Sequence, residues 1–340
     1  MSEFEFPHIE GVRHRTVAVN GIDMHVAEAG EPSTERPPVI LCHGFPELWY
    51  SWRHQLPALA AAGHHVIAPD QRGYGRTTRP NDIDDYDIVH LTDDLVALLD
   101  ELGHEQGIFV GHDWGSMVVW HMALLHPDRV AGVCGMSVPY SPRGEMSLIK
   151  VLEQVMGDRF FYILHFQEPG KADADLGKDP REAMRRFLCA IGGEGQDAAT
   201  TQGLIANLPN TATFWEWMPE APELPPWLSA EELDVFATEF ERTGFTGGIN
   251  WYRNFHRNWE LTPQLTGATI DRPSGFIAGE RDPVLVMSNP AGLPHVLTDL
   301  RTNVLVPLAG HWVQQEAPKE TNEALLAFLG TLTEASETTN

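Results

Sequence analysis

Short apolar runs bounded by glycine, proline and aspartate alternate with stretches of helical periodicity over the first 140 residues. Residues 16–19 and 22–28, separated by Asn20-Gly21, read as a hairpin, because that dipeptide suits the tight turn between antiparallel strands. Residues 38–41, 66–68, 108–110 and 130–136 are nearly continuous apolar runs, the pattern of strands covered on both faces of a parallel sheet. Between them, 52–62, 88–102 and 114–125 place apolar residues at helical spacing, and Pro127 stops the third. From 141 to 259 helical patterns continue, broken by Gly and Pro, with no convincing strand. After Pro263 the alternation resumes with strands at 274–278 and 303–307 and a helix at 319–329. The pattern predicts an α/β fold with a mostly parallel sheet flanked by helices. Residues 1–140 and 260–340 would form its core and 141–259 an inserted helical cap. The small, polar tail 331–340 is expected to fray.

Chemistry concentrates in the loops that follow these strands. Gly111-His112-Asp113-Trp114-Gly115 lies between a buried strand and an apolar helix, the setting of a nucleophile elbow with aspartate in the central position. Glycine on either side relieves the clashes of so sharp a turn and leaves the Asp113 side chain at the carboxyl edge of the sheet. The bland alternative is that Asp113 merely caps the helix beginning near Trp114. The chain order weighs against that reading, since an acid and a histidine follow at Asp282 and His311, each in a loop after a predicted strand. Glu280 competes with Asp282 for the acid's role and reads otherwise as a solvated loop charge.

An ionised aspartate attacks saturated carbon without a base, so the first product would be an alkyl ester. His311, oriented by Asp282, would then activate water to cleave that ester. The oxyanion of this second step needs donors, and the backbone amides of Phe45 and Trp114 are the candidates. Phe45 sits in His43-Gly44-Phe45-Pro46, where the proline permits a cis bond.

Composition narrows the partners. Forty-eight acidic against 23 basic residues give a formal charge of -25, which disfavours nucleic acid and anionic membranes. Cys42, Cys134 and Cys189 lie in apolar surroundings, so a disulfide framework is not expected and a reducing compartment is. Neither a signal-peptide pattern nor a long apolar span occurs, which makes the cytoplasm the expected location. No metal-ligand spacing stands out, and neither metal nor cofactor is expected. The expected assembly is a monomer or homodimer.

Taken together, these residues resemble the α/β-hydrolase-fold epoxide hydrolases. The resemblance rests on His43-Gly44-Phe45-Pro46-Glu47, Asp70-Gln71-Arg72-Gly73-Tyr74-Gly75, the elbow 111–115, Asp282 and Gly310-His311, and covers nearly the whole chain. It implies a single hydrolase domain with a helical lid, and no additional N-terminal domain. Two further segments, 161–170 and 250–255, look like those that supply the family's paired tyrosines, and so nominate Tyr162 and Tyr252 as donors to the epoxide oxygen. Phe45, Pro46 and Trp114 would contact substrate. An alkoxide leaving group needs a proton and a halide does not, which separates this reading from haloalkane dehalogenase, the nearest chemical rival. The rival would use the Trp114 indole as a halide donor, but Phe45 stands where one dehalogenase group carries Asn. A non-catalytic receptor on the same fold is the alternative from another class. His165 stands where relatives carry another aromatic residue and reads as a pocket or packing variation. Trp215, Trp217, Trp227, Trp251 and Trp259 suggest an apolar underside to the lid.

Overall fold

The computed structural model of the chain describes residues 6–33, 36–194, 208–218, 220–221 and 223–337. Eight strands form one sheet: β1 (Val12–Val19), β2 (Ile22–Ala29), β3 (Val39–Cys42), β4 (Val66–Pro69), β5 (Gly107–His112), β6 (Val130–Met136), β7 (Ser274–Gly279) and β8 (Leu300–Val306). Their spatial order is β1-β2-β4-β3-β5-β6-β7-β8. The first three neighbours pair antiparallel and the remaining strands run parallel. The hairpin closes at Val19↔Ile22, with both turn residues at positive φ, Asn20 at 43° and Gly21 at 77°. That twist matches the flanking strands. The central strands β3 and β5 are buried along their whole length, as continuous apolar runs require.

Helices α1 (Gln55–Ala61), α2 (Ile88–Leu102) and α3 (Trp114–Leu125) link the strands of the first half. The helix expected from residue 52 starts later, after a short 3-10 turn at Trp49–Trp52. The Asp70 carboxylate accepts from the Trp49 amide at 3.0 Å and so fixes the chain before the helix can begin. Asp87 caps α2 by accepting from the amides of Val89 and His90, and Gly103 closes it in the left-handed conformation.

Between β6 and β7 the described residues contain helices, the isolated bridge Arg159↔Pro209 and one half of the bridge Ile270↔Leu297, but no strand. The helices are α4 (Leu148–Met156), α5 (Tyr162–His165), α6 (Lys171–Leu176), α7 (Pro180–Ala190), α8 (Phe214–Trp217), α9 (Ala230–Thr243), α10 (Thr246–Arg253) and α11 (Phe255–Leu261). Beyond β7 come α12 (Val284–Met287), α13 (Leu293–Val296), α14 (Val313–Glu316) and α15 (Pro318–Glu337).

The closing helix runs on past the expected end at residue 329, through 331–337, and 338–340 lie outside the described residues. Two contacts carry the helix past residue 329. Leu332 packs on the core beside Gly132, and Arg301 donates to the Thr331 carbonyl at 2.8 Å.

Candidate active site

Asp113 stands between β5 and α3 with φ at 53°, a conformation costly for any residue with a side chain. The neighbours make the turn feasible. A side chain at Gly111 would overlap the Gly115 carbonyl, and one at Gly115 would overlap the Cys42 carbonyl. The strand and helix therefore meet backbone to backbone, and the carboxylate projects at the sheet's edge. One oxygen, Oδ1, accepts from the Phe45 amide at 2.8 Å. The other, Oδ2, lies 3.6 Å from His311 Nε2. The Asp113 amide donates to the Met136 carbonyl, while its own carbonyl accepts from Ser116 and Met117 as α3 begins. Its side chain caps nothing in α3, which removes the bland reading of this residue.

The structure brings the predicted acid and histidine together. His311 Nδ1 faces both carboxylate oxygens of Asp282 at 3.1 Å, and Asp282 is held in turn by the Val284 amide. Glu280 is exposed and takes no part. Burial alone would lower the His311 imidazole, but the carboxylates of Asp282 and Asp113 outweigh it and raise it well above the ordinary value. The site thus favours the cationic form of the ring.

The loop carrying Phe45 contains the anticipated cis bond, at Phe45-Pro46. Pro46 is buried. Behind the loop lies a buried network that motif reading did not find. His112 faces Glu47 Oε2 through Nδ1 and the His311 carbonyl through Nε2, each at 2.7 Å. Glu47 also accepts from the Gly44 amide and the Gln314 side chain. Ser137 donates to the same His311 carbonyl at 2.8 Å. The residue preceding the elbow aspartate thus carries the backbone of the histidine loop, a long-range pairing with no local signal beyond the adjacent His and Glu.

Burial works against charge on Glu47, but His112, His43 and the Gly44 amide bring its carboxyl down from 4.5 to about 2. A value depressed by folding contributes stability above 4.5 that is lost as pH falls toward 2. Thermal unfolding followed across that window is expected to show a falling midpoint, with a flatter fall in Glu47→Gln. Asp70, also held at about 2, contributes to the same decline in both proteins, so the difference between profiles isolates Glu47. Parallel profiles would assign the decline to other groups.

The nominated tyrosines lie together over this edge. Their ring centroids are 5.9 Å apart, with Tyr252 on α10 and Tyr162 opening α5. Tyr252 meets the Phe45 ring at 5.4 Å and the Trp114 ring at 5.2 Å. Burial, then the charge of Asp113, pushes both phenols above their ordinary value, so both are protonated donors at neutral pH.

One lesser expectation needs correction, and the reading of His165 narrows to packing. Of the five tryptophans, Trp217 stacks on Tyr162 at 5.5 Å and Trp251 packs on Trp114 at 5.7 Å. Trp215 and Trp259 instead donate their indoles to the Asp175 and Gly144 carbonyls and carry Arg186 and Arg143 on their faces. Trp227 Nε1 is buried with no partner among the described residues. His165 sits against Phe160 and 3.5 Å from Asp175, which makes it a packing residue of the helical insertion.

Among the described residues no three His, Cys, Asp or Glu side chains converge as a metal site, and no helix is long and apolar enough to cross a membrane. The three cysteines are unpaired, with Cys42 and Cys134 buried and Cys189 half-buried.

The family model for the alpha/beta hydrolase fold matches residues 37–175. Epoxide hydrolase A of Mycobacterium tuberculosis is 53% identical over 93% of this chain and 96% of its own. Epoxide hydrolase 1 of Siraitia grosvenorii is 40% identical over 94% of this chain and 99% of its own. The crystal structure of epoxide hydrolase A from Mycobacterium thermoresistibile superposes with a TM-score of 0.88 at 51% identity, covering 94% of this chain and 98% of that one. Potato (Solanum tuberosum) epoxide hydrolase I does so with a TM-score of 0.83 at 38% identity, covering 94% and 99%. With the fold, the sheet-edge geometry and relatives of this identity in agreement, the chain belongs to the epoxide hydrolases of the α/β-hydrolase fold.

Proposed function

We propose that this enzyme converts epoxides to vicinal diols through a covalent ester on Asp113, with 141–259 acting as a helical cap over the site. One observation carries the reading: a single carboxylate has its two oxygens divided between a backbone donor, Phe45 N, and the base, His311, beneath two protonated phenols. Asp113 Oδ2 attacks a ring carbon, the carbon–oxygen bond breaks, and the electron pair moves to the ring oxygen. That oxygen takes a proton from Tyr162 or Tyr252. The imidazolium of His311 restores the phenol and becomes neutral, and the ester has meanwhile cancelled the charge of Asp113 that favoured the cation. Water then gives a proton to His311 and attacks the Asp113 carbonyl carbon. The oxyanion at Oδ1 is received by the amides of Phe45 and Trp114. Collapse breaks the ester bond to the alkyl oxygen, and the new carboxyl's proton passes to that oxygen as the diol leaves. Epoxide and water are consumed one for one, with no cofactor.

This route assigns the water oxygen to Asp113 in the first turnover. A single turnover in heavy-oxygen water should therefore label the protein, while the first diol carries none. Label found in that diol and absent from the protein would favour direct attack of water on the epoxide and overturn the ester.

The phenols act only while the ring opens. Tyr162→Phe and Tyr252→Phe are each expected to slow ester formation by about 10²-fold, the scale of a lost general acid. Ester hydrolysis should change little. Rapid-mixing measurement of the two steps, with diol and halide release assayed in parallel, checks this. Halide release that survives loss of both hydroxyls, with no diol made by the parent, would favour dehalogenation.

A further inference from the structure

Glu316 ends the short helix α14 and sits half-buried beside the histidine loop, yet neither the motif reading nor the ester mechanism uses it. Its carboxylate accepts three backbone amides, each at 2.8 Å. Trp312 donates to Oε1, and Gly310 and Gly193 donate to Oε2. Two of these donors flank His311 on either side. The third belongs to the segment after α7, at the base of the helical insertion. Capping α14 accounts for the Trp312 contact alone, because Gly310 precedes that helix and Gly193 is more than a hundred residues away.

The same segment grips the loop elsewhere. The His311 amide donates to the Ile191 carbonyl at 2.9 Å, and Arg281 donates to the Gly193 carbonyl at 3.2 Å. A side chain on Gly193 would overlap the Leu308 carbonyl, and one on Gly310 would overlap the Gly193 amide. The two backbones are therefore in direct contact, and a carboxylate bridges them.

Resting on the ester mechanism above, we propose that Glu316 is a positioning residue for the water-activating step: it clamps the backbone on both sides of His311 to the insertion and so holds the imidazole in line with the ester. Proton abstraction from water depends steeply on where the imidazole nitrogen lies, and a displacement near 1 Å costs about 10²-fold. Bond formation to the ring carbon does not use that nitrogen as a base, and the imidazole enters the first half-reaction only by returning a proton to the phenol. Loss of Glu316 should therefore divide the two half-reactions. Asp282 orients the ring through Nδ1, whereas Glu316 acts on the backbone that carries the ring.

The test is rapid mixing of the full-length protein with a styrene-type epoxide, with ester formation and ester hydrolysis measured separately. Glu316→Ala is expected to slow hydrolysis about 10- to 100-fold. Ester formation should stay within about threefold of the parent, so alkylated protein accumulates in intact-mass spectra. Glu316→Gln keeps one acceptor oxygen and should fall between the two, and it serves alone where the alanine variant does not fold. Hydrolysis at the parent rate in Glu316→Gln and Glu316→Ala would overturn the proposal, as would equal slowing of both steps with a lowered melting temperature, the mark of a purely structural role. His311→Gln is run alongside. If it fails to accumulate ester, the mechanism beneath the proposal fails; if it accumulates ester while the Glu316 variants do not, only the clamp is lost.

Discussion

Asp113→Ala is expected to abolish diol formation, with turnover reduced on the order of 10⁴-fold or more and no alkylated protein at any time after mixing. The size follows from what remains. The phenols still grip the ring oxygen and His311 is still present, but no atom is left to make the first bond to carbon. Water would have to attack the epoxide itself from a site built around a carboxylate. Alanine is preferred to asparagine because an amide at 113 would lie under the same base and oxyanion amides that cleave the ester, and could be hydrolysed back to aspartate. Alanine keeps the Cβ that aspartate already carries at this positive φ, and the melting temperature is measured alongside to confirm that the variant folds. A folded alanine variant that still forms diol at a rate near the parent would remove Asp113 from the nucleophile's role.

The elements to which this chemistry is assigned were legible in the sequence because their signals are local. The elbow is five consecutive residues in which two glycines and an aspartate each have a steric or chemical reason. Asp282 and His311 stand out because each follows an apolar run long enough to be a buried strand. The central strands read correctly for the same reason, being apolar without alternation. Contacts that depend on distant residues were hidden. Glu47 and His112 are separated by 65 positions and meet only when β3 and β5 pair. Glu316 looks like an ordinary charge near the start of a helix, since its partners Gly193 and Gly310 offer only backbone amides. The tryptophans of the insertion show the limit from the other side. All five are large and apolar, but whether an indole faces the site or donates to a carbonyl at the periphery depends on its neighbours, and composition cannot sort them. The end of α15 was misjudged because polarity was weighed and Leu332 was not.

The charge balance links fold to chemistry. Two carboxylates beside the buried imidazole favour its cationic form, which fits the proposed ester route. A base must be neutral, and ester formation neutralises one of the two anions. Asp282 remains, so the imidazole value falls but not to that of an isolated buried ring. The hydrolytic step of the parent should therefore rise with pH through this lowered value and level off above it. Ester formation should lack that rise, since it requires Asp113 ionised and not His311 neutral.

His311→Gln separates the two steps most sharply. Glutamine approximates the reach of the imidazole and can still hydrogen-bond to Asp113, but it cannot take a proton from water. Hydrolysis of the ester is expected to fall by about 10³-fold or more, while ring opening continues at a rate set mainly by Asp113 and the phenols. Mixing with a styrene-type epoxide should give one equivalent of epoxide consumed, almost no diol, and an increase in intact mass equal to that of the epoxide. The adduct should map to the peptide carrying Asp113. Its slow decay should also lose the rise with pH seen in the parent, because the group responsible for it is gone. If the variant instead consumes no epoxide and gains no mass, His311 is needed before the ester exists. The imidazolium would then be an obligatory proton source for ring opening, and the division of labour between the phenols and the histidine would have to be redrawn.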